Sequence, residues 1–171
     1  MGRRRFSPRF LHSVWDRLTH PDLVLGEDVG ITEEGEIRKI KEQVYADLLV
    51  LLNARRAVVA IPDGMPALRK SLLMFGLPDF TGRSPGHNGH RKEIEAAIRQ
   101  VIEDFEPRLG PLPKSEDGNQ PKMVECVTAS AGSTTAQLSI RILATLRLHS
   151  NQVPIRFDYS LDVMSWAFSK S

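Results

Sequence analysis

Apolar residues along the chain recur first at helical spacing and then, beyond about residue 122, at a spacing of two. From about Ser7 to Leu18, the residues Phe10, Leu11, Val14, Trp15 and Leu18 share one helical face, and Pro8 suits the first turn. A second stripe, Ile37, Ile40, Val44, Leu48 and Leu51, widened by Tyr45, Leu49 and Leu52, predicts a helix over about Glu36 to Ala54. Acids at its start and Arg55-Arg56 at its end complement the helix dipole. A third helix is expected over about Pro66 to Phe75, stopped by Gly76 as a left-handed residue with Pro78 beyond. The fourth covers about His90 to Phe105, with Ile94, Ile98, Val101, Ile102 and Phe105 on one face. Pro107 holds Glu106 away from helical geometry and ends it.

After the proline-rich stretch Gly110 to Lys122, read as a mobile loop, Leu138, Ile140, Ile142, Ala144, Leu146 and Leu148 alternate with mostly polar residues. A turn at His149 to Gln152 leads into a strand carrying Val153, Ile155, Phe157, Tyr159 and Leu161, and an earlier strand is expected over Met123 to Ala129. Pro154 cannot donate a ladder hydrogen bond, which places this C-terminal strand at a sheet edge. The expected fold is α+β, about four helices on a small three- to four-stranded, mainly antiparallel sheet. One domain is expected over residues 9–168, after a flexible basic tail at 1–8.

Charge changes this picture only at the N-terminus. Of the 23 basic residues, Arg3, Arg4, Arg5 and Arg9 lie in the first ten positions without an acid, so the net charge of +2 belongs to a tail. Nothing downstream forms a basic stripe or an aromatic stacking set, so a solvated terminus is favoured over a nucleic-acid or lipid site. Cys126 is the single cysteine, which excludes an intrachain disulfide and suits a reducing cytoplasm. The longest apolar run, Leu48 to Leu52, is too short to span a bilayer, and the Arg run is followed by no apolar signal region. A soluble, intracellular protein is expected.

Catalytic chemistry finds little to work with. Glu103 and Glu106 are three apart at a helix end beside Arg108, whereas glycosidase carboxylates face each other across a cleft. His87 and His90 have ligand-like spacing, yet Cys126 is the only sulfur that could help complete a site, so no metal or other cofactor is expected. There is no phosphate loop, nucleophile elbow or zinc-protease signature.

Three segments in order, Leu51 to Arg56 (LLNARR), Phe75 to Phe80 (FGLPDF) and Phe105 to Leu109 (FEPRL), resemble the baseplate-wedge family of contractile phage tails and type VI secretion. The likeness covers about residues 7 to 163. It implies a compact α+β fold and a structural, non-enzymatic role, although the family was once labelled lysozyme-like, which leaves a peptidoglycan hydrolase as the alternative. The implied partners are other wedge subunits, the spike and the contractile sheath. Implied partner-binding residues are Glu106, Pro107 and Arg108, whose rigid corner presents a planar guanidinium, with Arg55 and Arg56 at the second helix end. Pro154, Ile155 and Phe157 on the C-terminal strand complete the set, through strand exchange with the sheath. Ala54 departs from the resemblance, which leads one to expect a hydroxyl residue there.

Overall fold

A computed structural model describes residues 33–62, 64–84, 87–114, 117–128, 137–147 and 152–171. Helix α1 spans Glu33–Asn53, and its stripe of Ile40, Val44, Leu48, Leu51 and Leu52 is buried as the periodicity requires. Helix α2 spans Asn88–Phe105 and buries Ile94, Ile98, Val101 and Ile102. Its N-cap is His87, whose Nδ1 accepts the Gly89 N–H at 3.2 Å, and Glu106 leaves helical geometry before Pro107.

Among the described residues five strands follow: β1 Leu109–Gly110, β2 Val124–Thr128, β3 Gln137–Arg147, β4 Gln152–Asp162 and β5 Ala167–Lys170. Every pairing is antiparallel. β3 is central, with β1 and β2 sharing one of its sides, β4 on the other and β5 beyond β4. The period of two places Leu138, Ile140, Ile142, Ala144 and Leu146 of β3, and Ile155, Phe157, Tyr159 and Leu161 of β4, in the core. Both helices contribute to that same core. Tyr45 of α1 stacks on Tyr159 at 4.7 Å between centroids, and the Tyr159 hydroxyl donates to the Tyr45 carbonyl at 3.2 Å. A buried tyrosine thus keeps its polar tip satisfied.

The architecture is α+β as expected, with three corrections. The expected third helix is two short 3-10 turns, Pro66–Lys70 and Leu72–Met74, separated by Ser71 in extended geometry. The described residues therefore hold two α-helices, and the stretch 7–18 lies outside them. The sheet has five strands, because the two-residue β1 and the C-terminal β5 escaped the periodicity. Such short pieces carry too few alternations to show a period. Thr145 also departs from its wet expectation: it is 3% exposed, and its hydroxyl donates to the Pro111 carbonyl at 3.3 Å.

Gly76 does adopt a positive φ, 98°, and a Cβ there would lie 2.4 Å from the Ala54 carbonyl oxygen. That carbonyl accepts the Leu77 N–H at 2.9 Å, while the Leu77 carbonyl accepts from Arg56 at 3.0 Å. The close approach joins the end of α1 to the Phe75–Phe80 segment and leaves room for no side chain. Replacing Gly76 by alanine is expected to destabilise the fold by more than about 1 kcal/mol, visible as a lower urea midpoint at unchanged slope.

Candidate partner-binding site

The three sequence segments that carry the family resemblance meet at one end of the molecule, where α1 and α2 terminate. Phe75 and Phe105 touch edge to face at 5.4 Å, joining the second segment to the third. From the first segment, Asn53 grips the C-terminal strand like a strand of its own. Its Oδ1 accepts the Phe168 N–H at 2.9 Å and its Nδ2 donates to the Phe168 carbonyl at 3.0 Å. Arg55 donates to the Trp166 and Leu52 carbonyls. Trp166, at a φ of 52°, stacks obliquely on Phe80 at 5.5 Å.

The third segment forms a charged corner. Glu106 is only 5% exposed, and its two carboxylate oxygens accept from Arg108 Nε at 2.6 Å and Nη2 at 2.5 Å. Nη2 also reaches Asp47 of α1 at 2.5 Å. This is a planar, two-pronged contact of the kind guanidinium makes best. The hydrogen bonds to Glu106, and after them those to Asp47, outweigh the opposing effect of burial and raise the affinity of Arg108 for its proton. Arg108 further holds the sheet, since its carbonyl accepts the Arg147 N–H at 2.8 Å. Pro107 is exposed, Arg108 and Asp47 are partly so, and the Glu106 carboxylate faces inward.

The remaining predicted partner residues lie elsewhere on the surface or below it. Arg56 is partly exposed near the Phe75–Phe80 segment, Pro154 is exposed, and Ile155 and Phe157 are buried with Phe157 against Tyr45. Ile155 and Phe157 thus line the core, and a partner at this strand could meet its backbone and the exposed side chains of Gln152, Pro154 and Arg156 but not theirs. Which backbone groups are open follows from the ladder. Leu143 and Arg147 of β3 direct their N–H groups away from β4, to the Met123 and Arg108 carbonyls. Their partners Arg156 and Gln152, and Pro154 between them, therefore turn their own backbone groups outward. β5 covers only Tyr159–Asp162, so Gln152–Asp158 has no further strand beside it among the described residues. The expectation that this strand is an edge thus holds for its first part only. Pro154 sits where its missing N–H costs no ladder bond.

Asp47, Asn53 and Trp166 were absent from the sequence reading. Asn53 lay within LLNARR and was legible as a motif position; Asp47 and Trp166 lie 61 and 111 residues from the arginines they meet, Arg108 and Arg55 respectively, and left no local signal.

The rival chemistries are placed as follows. Glu103 is exposed, 3.9 Å from Arg99, and Glu106 is committed to Arg108. His87 and His90 lie ring to ring at 4.9 Å, but no group of ligands suited to a metal ion occurs among the described residues. Cys126 lies beneath α2; burial, reinforced by the Glu95 carboxylate, pushes its thiol up to about 12.

The chain matches the family Baseplate wedge protein gp25 over residues 38–151, more than half its length, and is a member of that family. No curated protein and no solved structure matches the chain.

Two outcomes follow. Arg108→Met strands the Glu106 carboxylate and is expected to cost about 3–5 kcal/mol in chemical denaturation. The double change Glu106→Leu with Arg108→Met should recover most of that loss, because no buried charge then lacks a partner. At alkaline pH, the unfolded chain releases the Cys126 proton near ~8.5 while the folded chain keeps it to about 12. Stability contributed by this group is full below pH ~8.5 and declines as pH rises toward the folded value, so urea midpoints should fall across that range and fall less in Cys126→Ala.

Proposed function

We propose that the chain is the type VI secretion member of the wedge family, the subunit designated TssE. It serves as a non-enzymatic, cofactor-free piece of a cytoplasmic baseplate at the inner membrane. In this role it joins other wedge subunits around the spike and starts polymerisation of the contractile sheath. Family membership supports the baseplate role. The observation that carries the sheath role is the open stretch Gln152–Arg156 of β4, whose outward backbone groups are suited to an added strand.

Wedge contacts are assigned to the corner of Glu106, Pro107 and Arg108, and to Arg55 and Arg56 just past the end of α1. Pro107 and the partly exposed Arg108–Asp47 pair form its outer face, and buried Glu106 fixes the orientation of the guanidinium. A preorganised charged corner favours one partner over others more than it adds affinity. The geometry of Glu103 and Glu106 weighs against a peptidoglycan hydrolase. One carboxylate is solvated and the other is spent on an internal ion pair, so neither faces a second across a cleft.

The test is co-purification of the tagged chain with the products of its neighbouring genes, wild type beside Arg156→Pro. Arg156 makes no ladder bond to β3 through its N–H, so this variant should fold normally while removing a donor from the open edge. Wild type should recover wedge and sheath subunits, and Arg156→Pro should keep the wedge subunits while losing the sheath. A folded wild-type chain that recovers neither, or that cleaves peptidoglycan, overturns the reading.

A further inference from the structure

The outward backbone groups of β4 form one row along its edge, and that row meets different neighbours in turn. Gln152, Pro154 and Arg156 face no strand among the described residues. Asp158 comes next, and its carbonyl accepts the Tyr45 hydroxyl of α1 at 3.4 Å. Ser160 and Asp162 follow, paired with Ser169 and Ala167 of β5. Tyr45 therefore stands at the boundary between the open and the covered parts of the edge.

Several contacts keep it there. Besides its stack on Tyr159, the Tyr45 ring lies 6.0 Å from that of Phe157 and carries the Lys170 Nζ 5.3 Å from its centroid. Burial, and after it the charge of Asp158, raises the phenol above its ordinary value, so the hydroxyl remains a donor. Beyond this point β5 is anchored in its own right. Phe168 is buried and bonded to Asn53 through both backbone groups, and the Trp166 carbonyl accepts from Arg55. Removing β5 would expose Phe168 and leave Asn53 without these partners, so a strand arriving at the edge abuts β5 and does not replace it.

β5 also shows what this edge accepts. Its Phe168 points into the core, whereas Ala167 and Ser169 on either side are exposed. The open part of β4 presents the same two sides. Val153 is half-buried and Ile155 and Phe157 are buried on the inner one, and Pro154 and Arg156 are exposed on the outer one.

We infer that β4 receives a short extended segment of the sheath subunit, apolar on its inward side and small or polar on its outward side, and that Tyr45 ends this strand at Asp158. The inference rests on the strand-addition reading above. It also supplies what a pattern of period two lacks. Sliding such a strand by two residues leaves every side chain on its proper face, and a fixed stop at one end removes that freedom. Tyr45 is thus a positioning residue for the register of the added strand.

The test is hydrogen exchange resolved to single amides, on the full chain free and in its co-purified complex with the sheath subunit, for wild type and Tyr45→Phe. In the wild-type complex the Arg156 amide should slow by roughly tenfold or more. Asp158 should exchange as in the free chain, and Ser160, Asp162 and Ser169 should keep the protection they have there. Tyr45→Phe retains the ring and its stack on Tyr159, so Tm should hold, and the slowed stretch should now reach Asp158. Slowing at Asp158 in wild type, loss of protection at Ser169 on binding, or an identical pattern in Tyr45→Phe each overturns the inference. Absence of a complex, or a complex in which Arg156 exchanges as in the free chain, overturns the strand-addition reading itself and the inference with it. The wild-type arm decides the boundary even if the variant fails to fold.

Discussion

The Glu106–Arg108 pair governs the geometry of the whole assembly of elements. A carboxylate this buried would be intolerable alone, and the two-pronged guanidinium that neutralises it also reaches Asp47 on α1. Through the Arg108 carbonyl the same residue is bonded to Arg147 at the end of β3. One arginine thus ties the ends of α1, α2 and the central strand together. Pro107 makes this possible by stopping α2 at a fixed place, so that the chain turns and Arg108 doubles back on its own neighbour.

Around that tie, close contacts leave the corner little slack. Gly76 lets the Phe75–Phe80 segment press against the Ala54 carbonyl. Asn53 takes both backbone groups of Phe168, so the C-terminal strand is held by α1 as well as by β4. Phe80 and Trp166 fill the space between. An interface built on this corner, as proposed above, would be ordered before a partner arrives, which lowers the ordering cost of binding.

Much of this was legible in the sequence because it is periodic or punctuated. The stripes of α1 and α2 and the alternation of β3 and β4 are long enough to show their periods, and Pro107 and Gly76 act locally wherever they stand. The stretch Pro66–Met74 misled because its leucines recur at helical spacing, while Ser71 interrupts it in extended geometry and Leu72 and Leu73 remain exposed. Without a face to bury, a helix of that length has little to stabilise it. β1 and β5 were illegible for a different reason: they exist only because longer strands offer them an edge. The partners of the corner were half legible, since Glu106 and Arg108 announce themselves, whereas Asp47 is chosen by tertiary packing.

The pairing of β3 with β4 has a mechanical consequence. These strands match over eleven consecutive register pairs, whereas β5 holds β4 through four. Tension directed along β4 strains the long ladder in shear, so that many hydrogen bonds resist together. Tension on β5 peels its few pairs one after another. A pull entering through β4 therefore meets a stiff element braced on the core, while the C-terminal hairpin is the part that yields first.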